Sequence, residues 1–227
     1  MYTPPMFKSD RAASLGFAEL RGFGTVSAWD GNKPIASPLP FYLDYADDGT
    51  PRALFHVARG NPLIKLADGA SCWLLAVNGV DAYVSPDWYV SSDQVPTWLY
   101  QTVHLTGTVR KLSDAELAAQ IELLSAKFEG WLAPKPPWKS SKMTAGRLEA
   151  MKKAIVGLVM NVEEIEGSFK LNQHKSDADH IAIASALMRQ DDDAAQKIGK
   201  QMVALRPQLD YNSGVPVSAS AESRNVP

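Results

Sequence analysis

Between residues 23 and 109 the sequence consists mainly of short β-type runs separated by turn residues. The clearest turn signal, Asp30-Gly31-Asn32, follows the run GTVSAW and predicts a hairpin. Asn78-Gly79 predicts a second one. The predicted strands are residues 24–29, 33–45, 53–57, 71–77, 80–84, 97–109 and 155–165. Because β-α-β alternation is absent, these strands predict a mainly β fold with peripheral helices (α+β), built on a small antiparallel barrel.

The helices are predicted from their caps and apolar stripes. Predicted helices cover residues 9–21, a short segment from 62, 113–128, 144–154, 176–189 and 192–205. The strongest start signal is the capping box Ser113-Asp114-Ala115-Glu116. The prolines of the run from Lys33 to Tyr45 place that strand at an edge or make it irregular. We therefore expect a barrel domain over residues 1–175 with a helical insertion at about 113–154. Helices over 176–206 are expected to pack on it, and 207–227 to form a disordered tail.

Composition and motifs exclude several classes of protein. The chain has 23 Lys and Arg against 25 Asp and Glu, so its net charge of −2 gives no global attraction for nucleic acid. Its one cysteine, Cys72, excludes an internal disulfide and is expected to be inert inside an apolar strand. The four histidines lack metal-site spacing, so we expect no metal. No run approaches the roughly 20 apolar residues of a membrane span, and residues 1–20 hold no signal core, which predicts a cytoplasmic protein.

No catalytic motif is present: a nucleophile elbow, a phosphate loop and a dinucleotide fingerprint are all absent from the sequence. One segment could bind an anion, because the strand ending near His56 is followed by the helix start Asn61-Pro62. Arg59 adds a planar guanidinium suited to phosphate, and the ring of His56 could donate a hydrogen bond. The alternative is a surface arginine near a helix start with no ligand.

Aromatic residues are concentrated next to and within the longest predicted strand. Alternation along that strand places Trp98 and Tyr100 on one face and Thr97 and Leu99 on the other. Together with Tyr83, Trp88 and Tyr89, these rings fall within eighteen residues. They could form a core layer, a subunit interface or a ring-stacking ligand site, and the sequence leaves these alternatives open.

A basic segment lies between residues 135 and 153. It carries six basic residues against Glu149, a local charge of +5, with Trp131 and Trp138 nearby. Such a segment could contact DNA, but no helix-turn-helix accompanies it and a solvated surface is the alternative.

Several multi-residue motifs carry a family resemblance. They are MYTPPMF (1–7), FHVARGNP (55–62), DAYVSPDWY (81–89), VPTWLYQTVHLTGTV (95–109) and KLNQHK (170–175). In this order, across most of residues 1–190, they resemble the PaiB-type proteins, which are described as FMN-binding negative transcriptional regulators with a flavin-reductase-like split barrel. Two motifs depart from the family pattern. Leu99 replaces the asparagine of VPTWNY, and Asn172 and His174 replace two residues of KLSQN.

The resemblance implies a homodimer that holds FMN in a groove at the dimer interface. His56 and Arg59 fall on strand-end positions expected to face the flavin phosphate, with Asn61 beside them. Thr97, Trp98 and Tyr100 are expected to face the ring system or the partner subunit, while Lys170 and Gln173 belong to a motif expected to close the groove. The implied function is negative transcriptional regulation, with an FMN-dependent oxidoreductase on the same fold as the alternative. Direct DNA contact is not supported by the net charge.

Overall fold

The fold consists of one antiparallel β-sheet with accompanying helices. The computed structural model describes residues 1–211 and contains eight strands and five α-helices. The strands are β1 (Lys8–Ser9), β2 (Phe23–Trp29), β3 (Pro34–Pro40), β4 (Tyr42–Tyr45), β5 (Pro51–Ala58), β6 (Asp68–Val84), β7 (Thr97–Lys111) and β8 (Ile155–Lys170). The helices are α1 (Arg11–Arg21), α2 (Asp114–Gly130), α3 (Arg147–Lys152), α4 (Asp177–Met188) and α5 (Asp193–Leu205).

The strand order is β3-β2-β6-β7-β8-β5-β4, with β1 added beside β8. β2 pairs antiparallel with β3 and β6, and β5 pairs antiparallel with β4 and β8. β3 and β4 stand at opposite ends of this order, yet only Phe41 separates them in the chain. The sheet must therefore curl back on itself, which confirms the antiparallel split barrel. The proline-rich β3 is an edge strand, as its missing N–H donors require.

The chain divides into two compact units. Of the described residues, unit 1 comprises 1–3, 8–78 and 102–167, and unit 2 comprises 4–7, 79–101 and 168–211. The largest fully buried side chains of unit 1 include Trp73, Phe55, Leu75, Leu158 and Met160. Unit 2 has its own cluster, formed by Ala82, Val84, Leu99, Leu171, Ile183, Ala184, Leu187, Ala195, Ile198 and Met202.

Helix boundaries follow the predicted caps closely. Asp10 accepts from the main-chain N–H of Ala13 and caps α1. At α2 the capping box is complete, since Ser113 and Glu116 each accept from the other's main-chain N–H. Hydrogen bonds from the Arg110 guanidinium and from the main-chain N–H of Ser113 lower the pKa of Glu116 to about 2. The helix predicted over residues 144–154 is shorter in the structure, where α3 extends from Arg147 to Lys152.

Two local predictions were wrong. Asn78-Gly79 is not a hairpin turn, because β6 runs unbroken from Asp68 to Val84. Asn78 instead accepts hydrogen bonds within unit 1, from the Thr102 hydroxyl at Oδ1 (2.6 Å) and from Arg21 Nε at its carbonyl (3.0 Å). Cys72 is exposed rather than enclosed, because the buried face of β6 carries the neighbouring odd-numbered residues.

No helix among the described residues is long and apolar enough to cross a membrane. Of the predicted disordered tail, residues 212–227 lie outside the described residues.

Candidate functional site

Arg59 directly follows β5 in unit 1 and is held by the main chain of a neighbouring segment. Its Nε donates to the carbonyl of Lys153 (2.6 Å), its Nη2 donates to the carbonyl of Ile155 (3.0 Å), and its own N–H donates to Ala154 (2.8 Å). The edge of the guanidinium formed by Nε and Nη2 is therefore occupied. The opposite edge, Nη1 with the second Nη2 proton, remains available on an exposed side chain. No ion pair within residues 1–211 involves Arg59.

His56 lies on β5, opposite Gly157 of β8, and is half-buried. Burial lowers the pKa of its imidazole, which favours the neutral ring. Its Nδ1 lies 3.4 Å from Nε2 of Gln120, a residue of α2 that is only 1% exposed. Within the described part of the chain, no hydrogen bond engages the other ring nitrogen, Nε2.

The side-chain amide of Gln120 is the hydrogen-bond partner of Nδ1 of His56. Its Oε1 is buried and has no hydrogen-bond partner among the described residues. Among the described residues, the amide nitrogen Nε2 of Gln120 makes one hydrogen-bond contact, with Nδ1 of His56. A hydrogen bond from this NH₂ group to Nδ1 requires a neutral ring that carries its proton on Nε2, and this is the tautomer that we assign to His56.

Replacing Gln120 by methionine tests this assignment. We expect the Nε2–H preference of His56 to weaken, because Nδ1 loses its donor. Nitrogen-15 NMR of the histidine ring nitrogens measures this preference directly. The free energy of unfolding should fall by no more than about 1 kcal/mol, because the buried Oε1 has no partner to lose. An unchanged tautomer ratio would contradict the assignment.

The third predicted residue of unit 1, Asn61, has both amide atoms engaged in the local fold. Its Oδ1 accepts from the main-chain N–H of Leu63 (3.0 Å) and caps the short 3-10 turn Pro62–Leu66. Its Nδ2 donates to Ser37 Oγ (2.8 Å). The observed role of Asn61 is to fix the chain immediately after Arg59.

In unit 2, β7 presents its residues as the alternation predicts. Trp98 is 53% exposed and meets Tyr83 edge-on, with ring centroids 5.9 Å apart. Tyr100 is partly exposed on the same face of the strand. Leu99 points the other way and is fully buried in the unit 2 cluster. The departure from VPTWNY therefore lies in a core position, away from the Trp98 face.

Lys170 and Gln173 have different surroundings in unit 2. Lys170 Nζ donates to Thr97 Oγ1 (2.6 Å) and lies 5.9 Å from the centroid of the Phe7 ring. Burial lowers the pKa of Lys170, and the nearby Lys175 ammonium lowers it further. Gln173 uses its amide internally, since Oε1 accepts from Leu171 N–H while Nε2 donates to the carbonyls of Met6 and Phe169.

The structure thus distributes the eight predicted site residues between the two units. His56, Arg59 and Asn61 lie in unit 1, and Thr97, Trp98, Tyr100, Lys170 and Gln173 lie in unit 2. Of these, the structure joins Thr97 and Lys170 by a hydrogen bond. Sequence reasoning missed Gln120, although a polar residue between Leu117 and Leu124 on the apolar stripe of α2 was a usable signal. No group of metal-binding side chains occurs among residues 1–211.

Comparisons with known proteins agree with this fold. A family model described as "Putative FMN-binding domain" matches residues 1–164. Bacillus subtilis "Protease synthase and sporulation protein PAI 2" is 32% identical over 203 residues, which span 89% of this chain and 96% of that protein.

Solved structures share the architecture at low sequence identity. The FAD and heme binding protein from Mycobacterium smegmatis has a TM-score of 0.52 and 18% identity, covering 72% of this chain and 73% of its own. The flavocytochrome Anf3 from Azotobacter vinelandii has a TM-score of 0.52 and 16% identity, covering 71% and 67% respectively. The family match and the relative together confirm the resemblance inferred from the motifs. The chain belongs to the family of the FMN-binding domain, and within it to the PaiB-type proteins.

Proposed function

We propose that this protein binds FMN and acts as a cytoplasmic, homodimeric negative transcriptional regulator. The observation that carries the flavin proposal is the guanidinium of Arg59, which two main-chain carbonyls hold in place while one edge stays available. A fixed guanidinium binds a phosphate oxygen pair with little loss of side-chain entropy. Family membership and the flavin-binding proteins of the same fold support this choice of ligand.

The groups of unit 1 fit the phosphate end of FMN chemically. A phosphate monoester is a dianion with acceptor oxygens only, and Arg59 offers paired N–H donors that no carboxylate neutralises within the described residues. The Nε2–H of a neutral His56 would add a further donor. We assign these two side chains to the phosphate, and Asn61 to support of the turn that carries Arg59.

The predicted residues of unit 2 offer complementary chemistry. Trp98 provides an exposed aromatic surface suited to a flat ring, with Tyr100 on the same face of β7. Lys170 provides an ammonium group that Thr97 orients, and Gln173 fixes the loop that follows Lys170. When bound, FMN supplies a redox-active ring, while the chain's residues bind and orient it. Nothing in the described residues favours the oxidoreductase alternative.

Flavin titration followed by visible absorbance and fluorescence tests the proposal. We expect FMN binding at micromolar concentrations, and roughly 10- to 100-fold weaker FMN binding for Arg59→Ala, as is typical for loss of a charge-assisted hydrogen-bond pair. Riboflavin, which lacks the phosphate, should bind wild type and Arg59→Ala equally. Arg11→Ala removes an exposed arginine of the same unit and serves as the control. Equal FMN affinity for Arg59→Ala and wild type would refute the assignment of the phosphate.

The regulatory part of the proposal has separate tests. Transcript levels of the regulated genes should rise when the gene for this protein is deleted. They should return to the original level with the wild-type allele but not with the Arg59→Ala allele. Light scattering should give the mass of a dimer.

Direct contact with DNA is a separate question. In the basic segment, Lys135 and Lys152 are already paired with Glu129 and Glu149. With a net charge of −2, we therefore expect regulation without strong direct DNA contact. A salt-sensitive DNA affinity that falls when Lys139, Lys142 and Lys153 are changed to glutamine would contradict this expectation.

A further inference from the structure

We propose that unit 2 contains an additional anion site, formed by Lys170, His174 and Lys175, which binds a phosphate group. This inference deepens the proposed function, because Lys170 is one of the residues assigned to flavin. His174 and Lys175 were not among the predicted site residues; the structure places His174 against the Phe7 ring that Lys170 also contacts, and Lys175 against Tyr89.

The two lysines are placed alike. Each ammonium donates to a neutral oxygen, Lys170 to Thr97 Oγ1 (2.6 Å) and Lys175 to Gln94 Oε1 (2.7 Å). Each also lies near an aromatic ring: Lys170 is 5.9 Å from the centroid of Phe7, and Lys175 is 5.0 Å from that of Tyr89. These contacts orient the ammonium groups but leave both charges uncompensated.

His174 is the third member of the cluster. Its ring meets Phe7 edge-on with centroids 5.3 Å apart, so Phe7 contacts both His174 and Lys170. Burial lowers the pKa of His174, and Lys175 and Lys170 lower it further. His174 and Lys170 share the Phe7 ring, and Lys175 directly follows His174 in the chain, so the three basic groups are neighbours whose mutual repulsion a bound anion would reduce.

The two ammonium groups are not paired with carboxylates among residues 1–211. Neither lysine takes part in an ion pair within the described residues. The nearest acidic residues along the chain have other partners. Glu166 pairs with the Met1 ammonium and Asp177 binds Arg206. Asp179 accepts from Ser91 Oγ and from the N–H groups of Val90 and Ser91. An unpaired basic cluster with ordered side chains is typical of a site for a multiply charged anion.

The loop that carries the cluster is fixed by hydrogen bonds. Gln173 Nε2 donates to the carbonyls of Met6 and Phe169, and Arg206 Nη2 donates to those of Gln173 and Lys175. Asn172 is fully buried at a φ of +57°, a conformation that asparagine tolerates better than most residues. The cluster is therefore preorganised, which lowers the entropic cost of binding.

Histidine-selective nitrogen-15 NMR of the full chain tests the proposal, because the sequence has only four histidines. His56 reports on the surroundings of Arg59, and His174 reports on the new cluster. Titration with inorganic phosphate should shift the His174 ring signals saturably. His174→Asn identifies those signals by their loss.

The lysines are tested by substitution under the same titration. Lys170→Gln and Lys175→Gln should each weaken phosphate binding at His174 roughly tenfold, the scale of one lost charge-assisted contact. Lys200→Gln, which changes an exposed lysine of the same unit, should have no effect. A silent His174 up to about 10 mM phosphate, a weak-binding limit, would overturn the proposal. So would lysine variants that behave like the control.

FMN and riboflavin then identify the source of the phosphate and separate this inference from the proposed function. If FMN shifts His174 and riboflavin does not, the group bound is the flavin phosphate; because FMN carries a single phosphate, this result would support the new site and refute the assignment of the phosphate to Arg59 and His56. If inorganic phosphate shifts His174 but FMN shifts only His56, the site serves a separate phosphate compound. A His174 response in a protein that binds no flavin would support this site and refute the proposed function. If the protein binds flavin but the His174 signals respond neither to phosphate nor to FMN, the new site is refuted and the proposed flavin binding is supported.

Discussion

Gly107→Ala should prevent stable folding of unit 1. Gly107 lies on β7, and a Cβ at this position would be 1.8 Å from the main-chain oxygen of Asn161 and 2.8 Å from its carbonyl carbon. Both atoms belong to the backbone of β8, which neighbours β7 in the sheet. A backbone clash cannot be relieved by a side-chain rotation, so the two strands would have to separate locally. We expect a loss of more than about 4 kcal/mol in the free energy of unfolding, or no folded protein.

A second glycine provides the matched control. Gly16 lies in α1, and a Cβ at that position would meet nothing within 4 Å. Gly16→Ala should raise the free energy of unfolding by up to about 1 kcal/mol, the helix-propensity difference between the two residues. Urea denaturation followed by circular dichroism measures both variants. A Gly107→Ala protein with a wild-type midpoint would show that β7 and β8 do not approach as closely as described.

The sequence predicted elements whose signals are local. The Asp30-Gly31-Asn32 hairpin and the capping box at Ser113 depend on a few neighbouring residues, and both are confirmed. Asn78-Gly79 carries an equally good local signal, but hydrogen bonds from Thr102 and Arg21 hold Asn78 in an unbroken strand. Contacts so distant along the chain cannot be deduced from a dipeptide.

The candidate site was predictable as a set of residues but not as an arrangement. The motifs indicated Arg59 and Lys170, whereas the occupied edge of Arg59 depends on carbonyls more than ninety positions away. The role of Gln120 depends on where α2 packs, and that of Lys175 on Gln94 and Tyr89. Family motifs identify residue types, and only the tertiary structure shows which of their atoms are already hydrogen-bonded.

Leu99→Asn, which restores the residue usual in the family, should destabilise unit 2 without improving flavin binding. Leu99 has no exposed surface and packs in the cluster that includes Val84, Leu171 and Ile183. The substitution loses about 2 kcal/mol of apolar burial and adds about 1–3 kcal/mol for enclosing an amide. We expect the free energy of unfolding to fall by about 4 kcal/mol in total.

Leu99→Met, which preserves volume and polarity, should cost less than about 1.5 kcal/mol and serves as the control. Urea denaturation gives the stabilities, and FMN titration below the unfolding transition gives the affinities. Because the side chain at 99 points away from the Trp98 face of β7, both variants should bind FMN as wild type does while folded. A Leu99→Asn protein of wild-type stability with tighter FMN binding would mean that position 99 faces the ligand.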